Sequence, residues 1–587
     1  MATASSSGLF KMINESTSVV DEMLQGLVHT SPHLSLVPEH RVVLHQDYQA
    51  IKQNQVTLLS GGGSGHEPAH AGYIGDGMLT GVICGGVFAS PSMKQVLAAI
   101  RLVAGEHGCL IIVKNYTGDR LNFGLAIETA KAEGFNVDMV VIGDDVAIPG
   151  AKAGRRGVAG TVFIHKIAGA MAAQGYPLDV IANKLRQLAI GTMGVAWKSC
   201  TLPGQSTSRH INSNEMELGL GIHGEPGVRS ASQKSSKDTV AELLETIHTD
   251  LGVQRHDSVV LMVNNLGSTT AMELNVIAND TLEFCRRQDL NVERIVVGNF
   301  MTALDMSGFS ITVWKLDPMQ QHALLAWLDF AVTAPAWPAR TAQPFKANQL
   351  VNAPKETTSQ PAPVGTSPLT AHGLLLKQAI EAAARRIIQA EPELTEWDSK
   401  VGDGDCGHTL KGGAQAILND LASYPLNVPS LALHAIAATI GKSIGGTSGV
   451  LYTIFFTAAG TAMQTHDKGQ DNSTVSTHGW VDSVGSGVAA IQKYGGALEG
   501  SRTMVDALLP ALRAAKKAEL GSYSDWLTSV EKAAYEGAEN TKEISPRDAM
   551  GRTSYVGADF VKGVPDPGAM AVAYWIHAVV AILGATQ

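Results

Sequence analysis

Between Pro335 and Pro368 the chain reads PAWPARTAQPFKANQLVNAPKETTSQPAPVGTSP, rich in proline, threonine and alanine and without hydrophobic periodicity. No core element can be threaded through such a run, which reads as a flexible linker. It divides 587 residues, too many for one ordinary domain, into parts of different kind. Before it, short β-branched runs bounded by glycine (VTLLS at 56–60, LIIVK at 110–114, MVVIGDD at 139–145, VVLMVNN at 259–265, IVVGNF at 295–300) alternate with helical patterns. That alternation predicts buried strands in α/β layers, with active-site loops hanging from strand ends. After it, HGLLLKQAIEAAARRIIQA, LALHAIAATIGKSI and VDALLPALRAAKKA are helical in character and no comparable β-branched run occurs. The expected fold class is multidomain, α/β plus all-α, an arrangement that suggests two ligands brought together, one per unit.

Composition narrows the ligands. A net charge of −10 argues against a general affinity for nucleic acid or an anionic membrane, so small solutes are the expected partners. Cys84, Cys109, Cys200, Cys285 and Cys406 are scattered without any C-x-x-C pair. Neither a zinc site nor a disulfide framework is indicated, and a reducing cytoplasm fits. The start, MATASSSGLF, lacks the basic and apolar regions of a secretory signal. GAMAVAYWIHAVVAILGA near the end has membrane-helix length but contains His577 and many small residues. A buried bundle helix is the expectation, with no membrane partner.

SGGGSGHEPAH at 60–70 invites a phosphate-loop reading, but no Gly-Lys-Ser/Thr follows, and it presents His66, Glu67 and His70 instead. IGKSIGG at 440–446 fails as well, because Ile436 stands where the P-loop requires its first glycine. A second strand end, VKNYTGDRLNFG at 113–124, brings Lys114, Asn115, Asp119, Arg120 and Asn122 to one loop. For any one of these, a loop capped by Asp and Asn hydrogen bonds is the plainer reading. MELGLGIHGEPGV at 216–228 sets His223 between glycines, where a ligand can approach closely. In the helical half, EWDSKVGDGDCGHTLKGGA holds Asp398, Asp403 and Asp405 within eight residues. Three such carboxylates suit magnesium together with phosphate oxygens, the alternative being a solvated acidic turn. GGTSGV at 445–450, ahead of an apolar helix, could bind phosphate with amides and hydroxyls.

Taken together, SGGGSGHEPAHAGYIGDGMLTGVICGGVFASP, LIIVKNYTGDRLNFGLA, GTVFIHKIAGA, GLGIHGEPG, VGDGDCG, YGGALEGSRTM and PDPGA, in order over nearly the whole chain, resemble the single-chain ATP-dependent dihydroxyacetone kinases (glycerone kinases, triokinases). The resemblance implies a two-subdomain α/β substrate unit, 1–190 and 191–335, a linker at 336–369, and a nucleotide unit at 370–587 built as a closed barrel of eight antiparallel helices. It implies that the imidazole of His223 adds to the ketose carbonyl and holds it as a hemiaminal, a capture that selects carbonyl compounds such as dihydroxyacetone or glyceraldehyde over glycerol. Gly63, Ser64, Gly65 and His66 then form the substrate loop, and Lys114 and Asp119 hydrogen-bond the hydroxyls. Asp119 is the candidate general base, with His66 assisting. Asp398, Asp403 and Asp405 match carboxylates that hold two magnesium ions between the ATP phosphates. Asp405, Cys406, Gly407, His408, Thr447, Ser448, Gly495, Thr503, Met504, Asp566, Pro567 and Gly568 match ATP contacts, and Arg502 lies beside them as a candidate stabiliser of the transferring phosphoryl group.

This chain departs from the family pattern at Ser501, where many relatives have Asp, at His408, where a smaller hydroxyl residue is usual, and at Trp197 and Lys198. None of these falls on the Asp398, Asp403 and Asp405 cluster or on the capturing histidine. Animal members that resemble the chain also include FAD-AMP lyases, which form cyclic FMN in the same helical domain with a divalent metal, preferably manganese. A third reading, a ketose-binding regulator that does not use ATP, is disfavoured by the carboxylate cluster tethered in the same chain. The resemblance further implies a homodimer in which the helical domain of one chain serves the substrate site of its partner.

Overall fold

Cys109–Lys114, a strand buried along its whole length, is the interior of a parallel sheet with both faces covered. The structure, a computed structural model, describes residues 11–585 except 151, 206–208, 339–367, 469–474, 518–521, 551–552 and 554–560. The expected linker, 336–369, lies outside the described residues except at its two ends. The chain divides into two units, 1–351 and 352–587.

The first unit holds two six-stranded sheets. One is built from β1 (Leu34–Val37), β2 (Val42–His45), β3 (Thr57–Ser64), β4 (Gly81–Val87), β5 (Cys109–Lys114) and β6 (Val137–Ile142), in the order β1-β2-β4-β3-β5-β6. β4, β3, β5 and β6 run parallel, with Leu59 opposite Ile111 and Gly61 opposite Val113, while β1 and β2 are antiparallel additions at one edge. The other sheet is mixed: β7 (Ala189–Lys198), β8 (Glu215–Leu218), β9 (Arg229–Ser232), β10 (Ser258–Asn265), β11 (Asn291–Gly298) and β12 (Ser307–Lys315), in the order β11-β10-β12-β7-β8-β9.

The helix Thr161–Ala173, buried from Thr161 to Ala172, packs on β3 and β5 of the first sheet. The two sheets are stapled at Asp144, which accepts from Val158 N, Gly160 N and the Thr192 hydroxyl at 2.6–2.8 Å. Thr192 belongs to β7, so a residue just past β6 ties one sheet to the other.

The second unit contains eight long helices among the described residues: Ala371–Val401, Cys406–Asp420, Pro429–Ser443, Gly446–Asp467, Thr477–Gly495, Val505–Lys516, Tyr523–Asn540 and Pro567–Gly584. Each packs on the next and the last packs on the first, closing a ring. Pro567–Gly584 is long and apolar enough to cross a membrane, yet Ala569 to Ala573 are buried in the ring. Arg386 of the first helix sits 3.9 Å over the Tyr574 ring, and Glu393 accepts from its hydroxyl at 2.7 Å. It is a packed core helix, as its small residues suggest.

Candidate functional site

In the first unit, the carboxyl ends of β3, β4 and β5 converge, which is where parallel sheets place ligands. β3 runs straight into the glycine loop. Gly65 has φ +102°, and a Cβ there would lie 2.8 Å from Phe88 Cε1, so neither the turn nor the packing admits a side chain. Gly63 approaches the Phe88–Ala89 backbone as closely, and the Ser64 hydroxyl donates to Gly85 O at 2.9 Å. The glycines thus press the loop against the end of β4 and aim His66 inward.

His66 is fully buried and its Nδ1 donates to the Thr302 carbonyl at 2.8 Å. That bond puts the proton of the neutral ring on Nδ1 and leaves a lone pair on Nε2. The lone pair faces His223 Nε2 at 3.2 Å, so His223 donates to His66. His223 arrives on the loop after β8 and is enclosed by perpendicular rings: Tyr116 at 4.6 Å, His66 at 4.8 Å and Phe88 at 5.2 Å. Burial, then the charges of Lys114 and Arg156, push its pKa down to about 3, so the imidazole is neutral at physiological pH.

Lys114, the last residue of β5, is 1% exposed, and among the described residues its ammonium has no hydrogen-bond partner. Burial lowers its pKa to about 8, against the opposing charges of Asp119, Asp144, Glu67 and Glu225. Asp119, in the first turn of the helix Thr117–Ala132, accepts a hydrogen bond from Ser90 Oγ. Burial raises its pKa, opposed by Lys114 and Ser90. A buried, unpartnered ammonium is costly unless something polar meets it. The pocket therefore offers a neutral nucleophilic imidazole, a base for its proton, and an ammonium and a carboxylate suited to hydroxyl groups. Gly63, Ser64, Gly65, His66, Lys114, Asp119 and His223 are all contributed to this one neighbourhood. Sequence reasoning missed Thr302, Phe88 and Ser90. Phe88 and Ser90 lie in the quoted GGVFASP stretch, while the tie to Thr302 spans 236 positions and leaves no local signal.

In the second unit, neighbouring helices alternate in direction, which puts 402–405, 444–445, 496–504 and the described residues on either side of Asn540 and Pro567, Thr541 and Asp566 among them, at one end of the ring. Every residue assigned to nucleotide or metal falls on these connections or the helix turns beside them. One carboxylate oxygen from each of Asp398, Asp403 and Asp405 lies within 4.8 Å of the others, Asp398 buried and the other two exposed. That cluster of hard oxygens fits a divalent cation with open positions for phosphate. Asp398 also accepts from Cys406 N at 3.0 Å, coupling it to the first turn that carries Gly407 and His408. The His408 ring pairs with Glu391 at 2.5 Å. Thr447 and Ser448 open the helix Gly446–Asp467, and Gly495 closes Thr477–Gly495. Asp566 caps Pro567–Gly584 by accepting from Ala569 N at 2.7 Å, and Gly568 there lies beside Met504. Thr503 N donates to Asp506, which also accepts from Gly500 N. Arg502, the candidate phosphoryl contact, is turned into the protein. It is 1% exposed, and its two terminal nitrogens donate to the Thr541 and Val564 carbonyls. Its guanidinium thereby ties the 496–504 loop to Thr541 and Val564.

Comparisons with known proteins match the chain over nearly its whole length. Residues 25–336 match the Dak1 domain and residues 400–581 the DAK2 domain. A protein of Solanum lycopersicum, provisionally named a 3,4-dihydroxy-2-butanone kinase, is 46% identical over 97% of each chain. The human triokinase/FMN cyclase is 41% identical over 98% of this chain and 99% of its own. The crystal structure of the C. freundii dihydroxyacetone kinase in complex with AMP-PNP and Mg2+ aligns with a TM-score of 0.63 at 35% identity, covering 99% of this chain and 100% of that one. Two matched domains in the same order, at these identities over full length, show that the chain belongs to the single-chain dihydroxyacetone kinase family.

Proposed function

We propose that the protein transfers the γ-phosphoryl group of ATP to dihydroxyacetone, and to glyceraldehyde, giving the triose phosphate. The observation that carries this reading is the 3.2 Å contact between His66 Nε2 and His223 Nε2 beside the unpartnered ammonium of Lys114. As His223 Nε2 adds to the carbonyl carbon, its proton passes to His66, which returns it to the carbonyl oxygen. The N–H has then added across C=O as a hemiaminal, with nothing left over. Lys114 donates to the substrate's oxygens and Asp119 takes the proton of the terminal hydroxyl as it attacks phosphorus. Asp398, Asp403 and Asp405 would hold magnesium, which neutralises the ATP phosphates when bound.

ADP release by the purified protein with magnesium-ATP tests the reading. Turnover with dihydroxyacetone and none with glycerol is expected, and equal turnover with both would remove covalent capture. A second reaction, cleavage of FAD to AMP and cyclic FMN with manganese at the same acidic end, is supported by the likeness to triokinase/FMN cyclases. AMP release from FAD in manganese tests it. We further propose a homodimer in which the helical unit of each chain serves its partner. A cytoplasmic location completes the proposal, in keeping with five unpaired cysteines.

A further inference from the structure

The loop that presents His223 cannot hold it still by itself. Gly219, Gly221, Gly224 and Gly227 fall within nine residues, Gly219 and Gly224 at φ +68° and +77°, and glycine gives the backbone the widest freedom. An attacking nitrogen must nevertheless be aimed at its carbonyl to within a fraction of an ångström. The order comes from side chains outside the aromatic pocket. The main-chain N–H of His223 donates to Glu225 Oε2 at 2.8 Å. Glu225 Oε1 lies 3.3 Å from Arg156 Nη1. Arg156 spends Nη2 on the Gly219 carbonyl at 2.8 Å and Nε on Asp145 Oδ2 at 2.8 Å. Asp145 is anchored at the seam of the two sheets, where its Oδ1 accepts from Ala147 N at 2.9 Å and its backbone bridges Thr192. One guanidinium therefore grips both the start of the loop and, through Glu225, the histidine.

We propose that Arg156 and Glu225, braced by Asp145, are positioning residues that set the reactive placement of His223; this rests on the reading of His223 as the ketone-capturing residue. Gly221 is part of the device. A Cβ on it would lie 1.7 Å from Glu225 Oε1 and 2.9 Å from Arg156 Nη1, so only glycine lets the carboxylate tuck beneath the loop.

The test compares Glu225→Ala, Gly221→Ala and Arg156→Lys with the wild-type full chain. The readouts are calorimetry with dihydroxyacetone alone, KM for each substrate, and the rate at which diethyl pyrocarbonate modifies His223, read by mass spectrometry. In Glu225→Ala and Gly221→Ala, ketone affinity should fall on the order of ten- to a hundredfold with KM for ATP unchanged. His223 modification should quicken several-fold, and Arg156→Lys, which keeps the charge but not the fork that reaches Asp145, Gly219 and Glu225 together, should show a smaller loss of the same kind. Gly221→Ala keeps both charges, so it decides the matter should Glu225→Ala not fold. Wild-type ketone affinity with an unchanged modification rate in a folded variant overturns the proposal. If the wild type binds no ketone, the kinase reading fails, and the modification rate alone still judges the clamp.

Discussion

At Asp119 the carboxyl is buried, raised in pKa, and held by Ser90 and the field of Lys114. A general base of this kind contributes about 10²–10⁴-fold, so Asp119→Asn should lose turnover by that order while calorimetry still records dihydroxyacetone binding. Turnover near the wild-type level would leave another group as the base. Lys114 makes a separate prediction. With its pKa lowered from 10.5 to about 8, the ammonium is present below pH 8 and lost above it. KM for dihydroxyacetone should therefore climb as the pH rises through 8, with KM for ATP flat. Lys114→Met should show a raised KM and no such step, and a wild-type KM constant to pH 9.5 would exclude the ammonium from substrate binding. Both residues were legible in the sequence because each lies at or just past the end of one β-branched run. Arg156 was not: its partner Glu225 is 69 positions away, and only the closing of two sheets brings them together. Arg502 drew its candidate role from its place beside nucleotide loops, and the fold adds what that place could not tell, that two of its nitrogens donate to the Thr541 and Val564 carbonyls.

Between elements, the deciding contact is the Asp144 staple. Burial raises its pKa from 3.8 to about 6 despite three donated hydrogen bonds. Between pH 4 and 6 the native carboxyl keeps a proton that the unfolded chain has released, so the native state gains as the pH falls. This contribution is complete near pH 4, declines as the pH rises to 6 and is constant above that, a span of roughly 3 kcal/mol at 1.36 kcal/mol per pKa unit. Chemical unfolding of wild type and Asp144→Asn, compared at each pH, should show that difference, and a pH-independent difference would mean that Asp144 does not titrate in this range. Strand and helix classes were readable from period and β-branching. That the second sheet is mixed, with β12 lying antiparallel between β10 and β7, was not, because register depends on partners far along the chain. The closed helical ring was implied by family resemblance alone. Helical periodicity tells which face is buried but not which helix covers it.

On the scale of the whole molecule, the pocket around His66 and His223 belongs to 1–351 and the acidic cluster to 352–587, so each should be lost without the other. Asp403→Ala should abolish magnesium-dependent ATP binding in calorimetry and leave dihydroxyacetone binding intact, and a parallel loss of both would mean that the two units are not independent binders. Two such defects, placed on different chains, then test which chain serves which. Asp119→Asn is expected to disable the substrate site and Asp403→Ala the nucleotide site, so either variant alone should be inactive. If the helical unit serves its partner, a mixed dimer pairs the intact α/β unit of one chain with the intact helical unit of the other and regains one working site. Random pairing makes half the dimers mixed, each with one site of two, so co-expression should restore about a quarter of wild-type activity. That activity should be proportional to protein concentration if it arises within a dimer, whereas chance encounters between separate molecules would make it fall with the square on dilution. If each helical unit instead serves its own chain, every site in the mixed dimer carries one defect and no activity returns.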